Sequence, residues 1–167
     1  MDNTQKLSLK ASLKQFGLQV ITQRIEAARQ QVNLAQESAN NEEKSSAGDK
    51  YETGRAMGHL QKDMFARQQA ENAREYAALQ QVRTDSLCSS VMPGAFIRCS
   101  PLSSDRTGIG AEDTGFFIAA GLGRQSIDGQ TILFLSPAAP LSNALKNKKT
   151  GDTITFNGQS LLIEDIF

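Results

Sequence analysis

Residues 18–35 read LQVITQRIEAARQQVNLA. Apolar side chains fall at Leu18, Ile21, Ile25, Ala28, Val32 and Ala35, in alternating steps of three and four. That spacing lays one apolar stripe along an α-helix, the pattern of a helix packed lengthwise on another. Leu9, Leu13, Phe16 and Val20 carry the stripe toward the N-terminus. The spacing predicts a helix over roughly 7–38.

A partner helix follows in the sequence. Residues 1–85 hold none of the four prolines and are rich in Gln, Ala, Glu, Lys and Arg, a helical composition. A second helix is expected from about 50 to 84, with a thinner seam of Met57, Leu60, Met64, Ala70, Ala73, Ala77 and Val82. The connecting SANNEEKSSAGD, residues 38–49, is polar and rich in Asn, Ser and Gly, so it reads as a turn or a frayed helix end. Helices joined this way lie antiparallel to bury their seams, as arms roughly 45–50 Å long.

Beyond residue 90 the period changes. Short β-rich runs at 95–99, 115–120, 131–135, 153–156 and 161–163 are punctuated by the hairpin-turn pairs Asp128–Gly129 and Asn157–Gly158. Ser136–Pro137 ends the third run, and Ala138 to Lys146 is expected to be a short helix with Leu141 and Leu145 on one face. The expectation is an α+β chain: a helical hairpin over 1–85 with an acidic tip near 40–53, then a small antiparallel sheet with one helix over 90–167. The polar, Gly-rich segment 102–113 reads as a mobile loop. Its GIG is too short for a phosphate-binding fingerprint.

Composition narrows the function. The net formal charge is zero, which argues against a general electrostatic grip on nucleic acid. No stretch approaches a membrane span, and the N-terminal residues lack the apolar core of a secretory signal, so a cytoplasmic protein is expected. Cys88 and Cys99 are not at CxxC spacing and read as small buried or half-buried residues. His59 is the single histidine, with no zinc-ligand partner at suitable spacing, so covalent acyl-transfer chemistry is not expected. The charge runs Glu42–Glu43–Lys44 and Lys146–Asn147–Lys148–Lys149 read as solvated.

Asp49 and Glu52 carry the chemistry. Asp–x–x–Glu at a helix start has the form of a capping box, with Asp49 accepting an amide proton and Glu52 reaching back. Residues at i and i+3 also share a helix face, so both carboxylates can be offered to one Mg²⁺. Two carboxylates leave most of an octahedral shell to be filled by water or by a partner.

The order of parts resembles the Gre family of bacterial transcript-cleavage factors. Gly48–Asp49–Lys50–Tyr51–Glu52–Thr53 is similar to the family's tip, Gly–Asp–x–x–Glu–Asn. Leu135–Ser136–Pro137, Leu141, Ala144–Leu145 and Lys148–Lys149–Thr150–Gly151–Asp152 resemble its C-terminal signature. The resemblance implies an FKBP-like C-terminal domain that docks on bacterial RNA polymerase through Ser136, Pro137, Leu141 and Leu145. It implies a hairpin that enters the polymerase's secondary channel. Asp49 and Glu52 would there complete a Mg²⁺ held jointly with the polymerase, with Gly48, Tyr51, Glu42 and Glu43 supporting the tip. The factor would stimulate the polymerase's own cleavage of backtracked RNA rather than be an enzyme itself. It would meet the RNA 3′ end indirectly, with no membrane and no small-molecule substrate involved. The chain departs from the family in a longer connection before Gly48, in Thr53 where Asn is usual, and in Leu60 where the family carries a basic residue. The departures favour a divergent member and leave two alternatives: a channel-binding modulator or inhibitor without cleavage activity, and a coiled-coil module for another partner.

Overall fold

A computed structural model describes residues 1–42, 50–102 and 114–167, with the side chains of 38–42, 50–56 and 59 left aside. The chain is α+β. Two long helices, α1 (Asn3–Glu42) and α2 (Lys50–Gln81), precede β1 (Phe96–Pro101), β2 (Gly115–Ile118), β3 (Gly123–Ile127), β4 (Gln130–Leu135), α3 (Pro140–Leu145), β5 (Thr153–Phe156) and β6 (Gln159–Ile166).

Helix α1 starts four residues before the periodicity predicts, because Asp2 and Gln5 form a reciprocal cap. The Gln5 amide donates to Asp2 Oδ1 at 2.7 Å, and the Asp2 amide donates to Gln5 Oε1 at 3.0 Å. Two orphan donors of the first turn are satisfied by this exchange. The seam read from the sequence holds on α1: Leu18, Ile25, Ala28, Val32 and Ala35 are half-buried and Ile21 is buried.

The seam expected on α2 does not hold. Met57, Leu60, Met64, Ala70, Ala73 and Ala77 are all exposed, and only Val82 is buried. The inward positions are Phe65, Asn72, Glu75, Tyr76 and Leu79, a face flanked by Met57, Leu60 and Met64 on one side and by Ala70, Ala73 and Ala77 on the other. Polar Asn72 and Glu75 hide this face from a hydrophobicity reading.

The chain divides into two compact units, Gln19–Ala77 and Met1–Leu18 with Ala78–Phe167. These are units of packing, whereas the division at residues 85–90 is one of secondary-structure type.

The second unit holds a six-stranded sheet in the order β3-β4-β2-β1-β6-β5. It is mixed rather than antiparallel as expected, because β2 runs parallel to β4. After β2 the chain skips one position to lay down β3, and β4 returns through a hairpin into the vacant slot. The short connection from Ile118 to Gly123 reverses the chain, so β4, antiparallel to β3, runs parallel to β2. Asp128 and Gly129 take φ 51° and 77°, and Asn157 and Gly158 take 50° and 78°. Both pairs therefore make the turn geometry that Asp–Gly and Asn–Gly favour. Strand β3, GRQSI, was not expected: it is an edge strand with no apolar alternation. Helix α3 is shorter than the 138–146 expected.

All four residues of β2 are buried, the mark of a strand covered on both faces. One face carries Ile97, Cys99, Phe116, Ile118, Leu161 and Ile163 in a core completed by Leu141 and Leu145 of α3. On the other, Phe134 packs edge-on to Phe117, ring centroids 5.5 Å apart, and lies 6.0 Å from Phe16 of α1. Gly17 is what lets the helix approach: a Cβ there would lie 2.8 Å from Leu79 Cδ2 and 3.5 Å from Phe134 Cε1.

Three lysines at steps of four on α1 finish this unit. Lys6 Nζ lies 2.7 Å from Asp165 Oδ2 and 4.8 Å from the centroid of the Phe167 ring. Lys10 Nζ donates to the Ser86 carbonyl at 2.8 Å. Lys14 Nζ donates to the Gln80 and Val82 carbonyls, both at 2.8 Å, and so caps the C-terminus of α2. Hydropathy would have placed all three in solvent.

Candidate functional site

Of the tip residues singled out by sequence, Glu43, Gly48 and Asp49 lie outside the described residues. Glu42 is the last described residue of α1, and Tyr51 and Glu52 lie on α2, whose described residues begin at Lys50; their side chains are outside the described set.

Among the described residues, no cluster of three or more His, Cys, Asp or Glu side chains could hold a metal ion. No helix there is long and apolar enough to cross a membrane. The unit Gln19–Ala77 carries large apolar side chains in the open instead. Met57, Leu60 and Met64 of α2 are 57%, 61% and 69% exposed, and Leu34 of α1 is also exposed. Within this unit the inward side of α2 is polar at its centre: Asn72 is buried and accepts from Gln68 Nε2 at 3.3 Å. Glu75 lies 4.0 Å from Arg24 of α1.

The Ser–Pro signature divides between surface and core. Pro137 is exposed and Ser136 half-buried, whereas Leu141 and Leu145 are buried in the sheet's core. Ser136 is tied down on two sides: its carbonyl accepts from Ser142 Oγ at 2.7 Å, and its Oγ accepts from the Ala138 amide at 3.3 Å. Leu141 and Leu145 hold α3 against the sheet, so any surface this signature offers a partner is that of Pro137 and its neighbours.

The Lys149–Asp152 part of the signature is a tied turn. The Lys149 amide donates to Asp152 Oδ2 at 2.8 Å, Gly151 takes φ 91°, and the Gly151 amide donates to the Ile163 carbonyl at 2.8 Å. Those residues are accounted for by the approach to β5 alone. The loop expected to be mobile falls, at 103–113, outside the described residues.

Sequence reasoning missed a pocket of about 340 Å³ beside the end of α2, lined by Val82, Leu87, Cys88, Met92, Ala119 and Pro137 among others. Cys88 is half-buried and accepts a hydrogen bond from Lys10 Nζ at 3.4 Å. Cys99 is buried, and burial together with the nearby Glu164 charge pushes its thiol up to about 12. Between the second helix and β1, Arg83 and Asp85 form an exposed pair at 3.3 Å. The Arg83 hydrogen bond is the main cause holding the Asp85 carboxyl below its ordinary range.

No family model matches the sequence, and no curated protein matches it. Among solved structures the chain is similar to that of the transcription factor Gfh1, at 14% identity over 90% of this chain and 92% of the other, with a TM-score of 0.34.

Proposed function

We propose that the chain is a Gre-like transcription factor that binds bacterial RNA polymerase through its secondary channel and stimulates Mg²⁺-dependent cleavage of backtracked RNA. The observation that carries this reading is that Glu52 of the Gly–Asp–x–x–Glu motif lies on α2, a 32-residue helix that follows the 40-residue α1. Acids three residues apart share a face when both are helical, so Asp49 and Glu52 would be offered together. The sheet-forming unit supplies a separate body for docking, with Pro137 on its surface. The paired acids add oxygen ligands to a site that the polymerase mostly builds. A Mg²⁺ shared there would activate a water and neutralise charge on the scissile phosphate. Because the chain's own donors are too few, the acids act only when the partner contributes its ligands. The factor is thus not an enzyme by itself, and its compartment is the cytoplasm.

One observation favours a second reading, that of a channel-binding modulator without cleavage activity. Leu60 is exposed at the place where the resembled family carries a basic residue toward the RNA end. An apolar side chain there cannot pair with phosphate.

The test is a polymerase pull-down followed by a cleavage assay on a backtracked elongation complex with Mg²⁺. Short 3′ RNA fragments are expected with the wild-type chain, and their loss is expected with Asp49→Ala/Glu52→Ala while pull-down persists. Retention without fragments selects the modulator. Absence of retention removes polymerase as the partner and leaves the hairpin as a module for another protein.

A further inference from the structure

Lys146, Lys148 and Lys149 crowd the segment between α3 and β5, and among the described residues none of them has a carboxylate within ion-pair distance. Lys146 and Lys149 are exposed and Lys148 is half-buried. The end of α3 suits one cation, Lys146, and does not account for Lys148 and Lys149. Their backbone, by contrast, is fastened. The Asn147 amide donates to the Val91 carbonyl at 3.2 Å, the Val91 amide donates to the Lys148 carbonyl at 2.9 Å, and the Lys149 amide donates to Asp152 Oδ2 at 2.8 Å. The turn thus uses the amide of Lys149 and not its side chain. Like charges held together by a fixed backbone lose little further entropy when a partner binds.

Apolar surface adjoins this turn. Met92 follows Val91 directly and is 52% exposed. It lines the open pocket of about 340 Å³ together with Leu87, 41% exposed, and Pro137. Gln81, Arg83 and Ser86 also line it, and Arg83 is already paired with Asp85 at 3.3 Å. All these residues belong to the unit Met1–Leu18 with Ala78–Phe167. The two features together narrow the occupant. Unpaired lysines draw an anionic one. Exposed Met92 and Leu87 gain nothing from a hydrated phosphate backbone, and the lysines are too few for a firm grip on nucleic acid. An apolar centre with a charged rim is instead the composition of a protein–protein interface.

We propose that this surface docks an acidic segment of a partner protein, which seats an apolar side chain in the pocket walled by Met92 and Leu87 and lays its carboxylates on Lys146, Lys148 and Lys149. The lysines steer the segment and set its direction, and the apolar anchor holds it. The two contributions are separable in kinetics, because rim charges act mainly on association and a seated anchor acts mainly on dissociation. The proposal does not depend on the polymerase reading, since none of these residues belongs to the acidic tip. Its test uses a peptide, so a failed polymerase pull-down leaves the outcomes below unchanged.

The probe is a short fluorescein-labelled peptide of Glu and Asp with a central Leu–Phe pair. Its binding to the full chain is followed by anisotropy and by stopped flow at several salt concentrations. Saturable binding is expected. It should weaken by roughly tenfold when the peptide's acids become Gln, and again when its Leu–Phe pair becomes Ser–Ser. On the protein, Lys146→Gln/Lys148→Gln/Lys149→Gln should weaken binding by roughly tenfold, through a slower on-rate with a flatter salt dependence. Leu87→Ser/Met92→Ser should instead raise the off-rate by roughly tenfold and leave the salt dependence as it was.

A charge-matched control, Arg29→Gln/Arg67→Gln/Arg74→Gln, removes exposed arginines of the unit Gln19–Ala77 and should bind the peptide as wild type does. An equal loss in this control would assign the effect to net charge alone, and the proposal would be wrong. Should the triple lysine variant lower the unfolding midpoint, the exposed pair Lys146→Gln/Lys149→Gln decides, with a loss of roughly fourfold expected. Equal affinity for a poly(U) RNA would make the lysines a general polyanion surface and overturn the assignment. Absence of saturable peptide binding, or an off-rate that Leu87→Ser/Met92→Ser does not raise, overturns it as well.

Discussion

The two packing units solve the problem of burying apolar surface in opposite ways. The unit Met1–Leu18 with Ala78–Phe167 covers both faces of its sheet and leaves almost no aromatic ring in water. It even buries Lys10 and uses Lys6 and Lys14 to satisfy acceptors across elements. The unit Gln19–Ala77 has one narrow seam, places Asn72 in it, and turns Met57, Leu60 and Met64 outward. A seam of that width stabilises little per residue, since hydrophobic stabilisation scales with area removed from water. The difference shows where stability is made and where apolar surface is left for something else.

The hardest blow to this contrast should come from Phe134. It is buried between Phe117 and Phe16, at 5.5 and 6.0 Å, and lies beside the helix face opened by Gly17. Phe134→Ala removes a ring that joins β4 to α1 and leaves a cavity that neighbouring rings cannot fill. A loss of about 3–5 kcal/mol is expected in urea unfolding of the whole chain. A loss below about 1 kcal/mol would mean that the sheet unit is no better packed than the seam, and the contrast would collapse.

A smaller effect of opposite sign is expected at Asn72. Its side chain is 3% exposed and accepts from Gln68 within the same helix. A buried polar group in a helical seam fixes register at a cost in stability. Asn72→Leu should therefore stabilise the unit Gln19–Ala77 by about 1 kcal/mol, read as slower amide exchange in that segment. Destabilisation would show that Asn72 is held by a network worth more than its burial costs, and that the seam is better built than its apolar content suggests.

Legibility in the sequence followed the same divide. The α1 seam could be read because Leu18, Ile21, Ile25, Ala28, Val32 and Ala35 all turned out to face inward. The α2 seam could not, because its inward positions hold Asn72 and Glu75 while its most apolar row is exposed. Hydrophobic period finds a face only where burial and hydrophobicity coincide. The β-hairpin turns at Asp128–Gly129 and Asn157–Gly158 were legible from local backbone chemistry, but β3 was not, since an edge strand need not alternate. The parallel pairing of β2 with β4 is a matter of order in the sheet, which no local pattern records. At the tip, the motif Asp49–x–x–Glu52 could be read in the sequence, but Asp49 lies outside the described residues and only the helical backbone at Glu52 is described. Cys88 was legible only as a half-buried thiol, because its partner Lys10 lies 78 residues away in the chain. The cap by Asp2 and Gln5 did leave a signal, an Asp–x–x–Gln at the helix start.

The smallest stability effect is expected where the apolar content is most conspicuous. Met57, Leu60 and Met64 lie three and four residues apart and are more than half exposed. Their side chains contribute little burial, so Met57→Gln/Leu60→Gln/Met64→Gln should leave the unfolding midpoint within about 0.5 kcal/mol of wild type. Helix propensity hardly changes either, since Gln, Leu and Met rank close together. Binding should behave differently. An exposed row of Met and Leu is adaptable apolar surface of the kind that interaction faces use. If the hairpin enters a polymerase channel, the triple variant should lose retention on polymerase while keeping its midpoint. A lowered midpoint would instead place the row in a seam and erase the contrast between the units. An unchanged midpoint with unchanged retention would keep the contrast but move the binding surface to the acids and to Pro137. Stability and retention therefore have to be measured on the same preparation, because each reading of the row predicts a different pair of results.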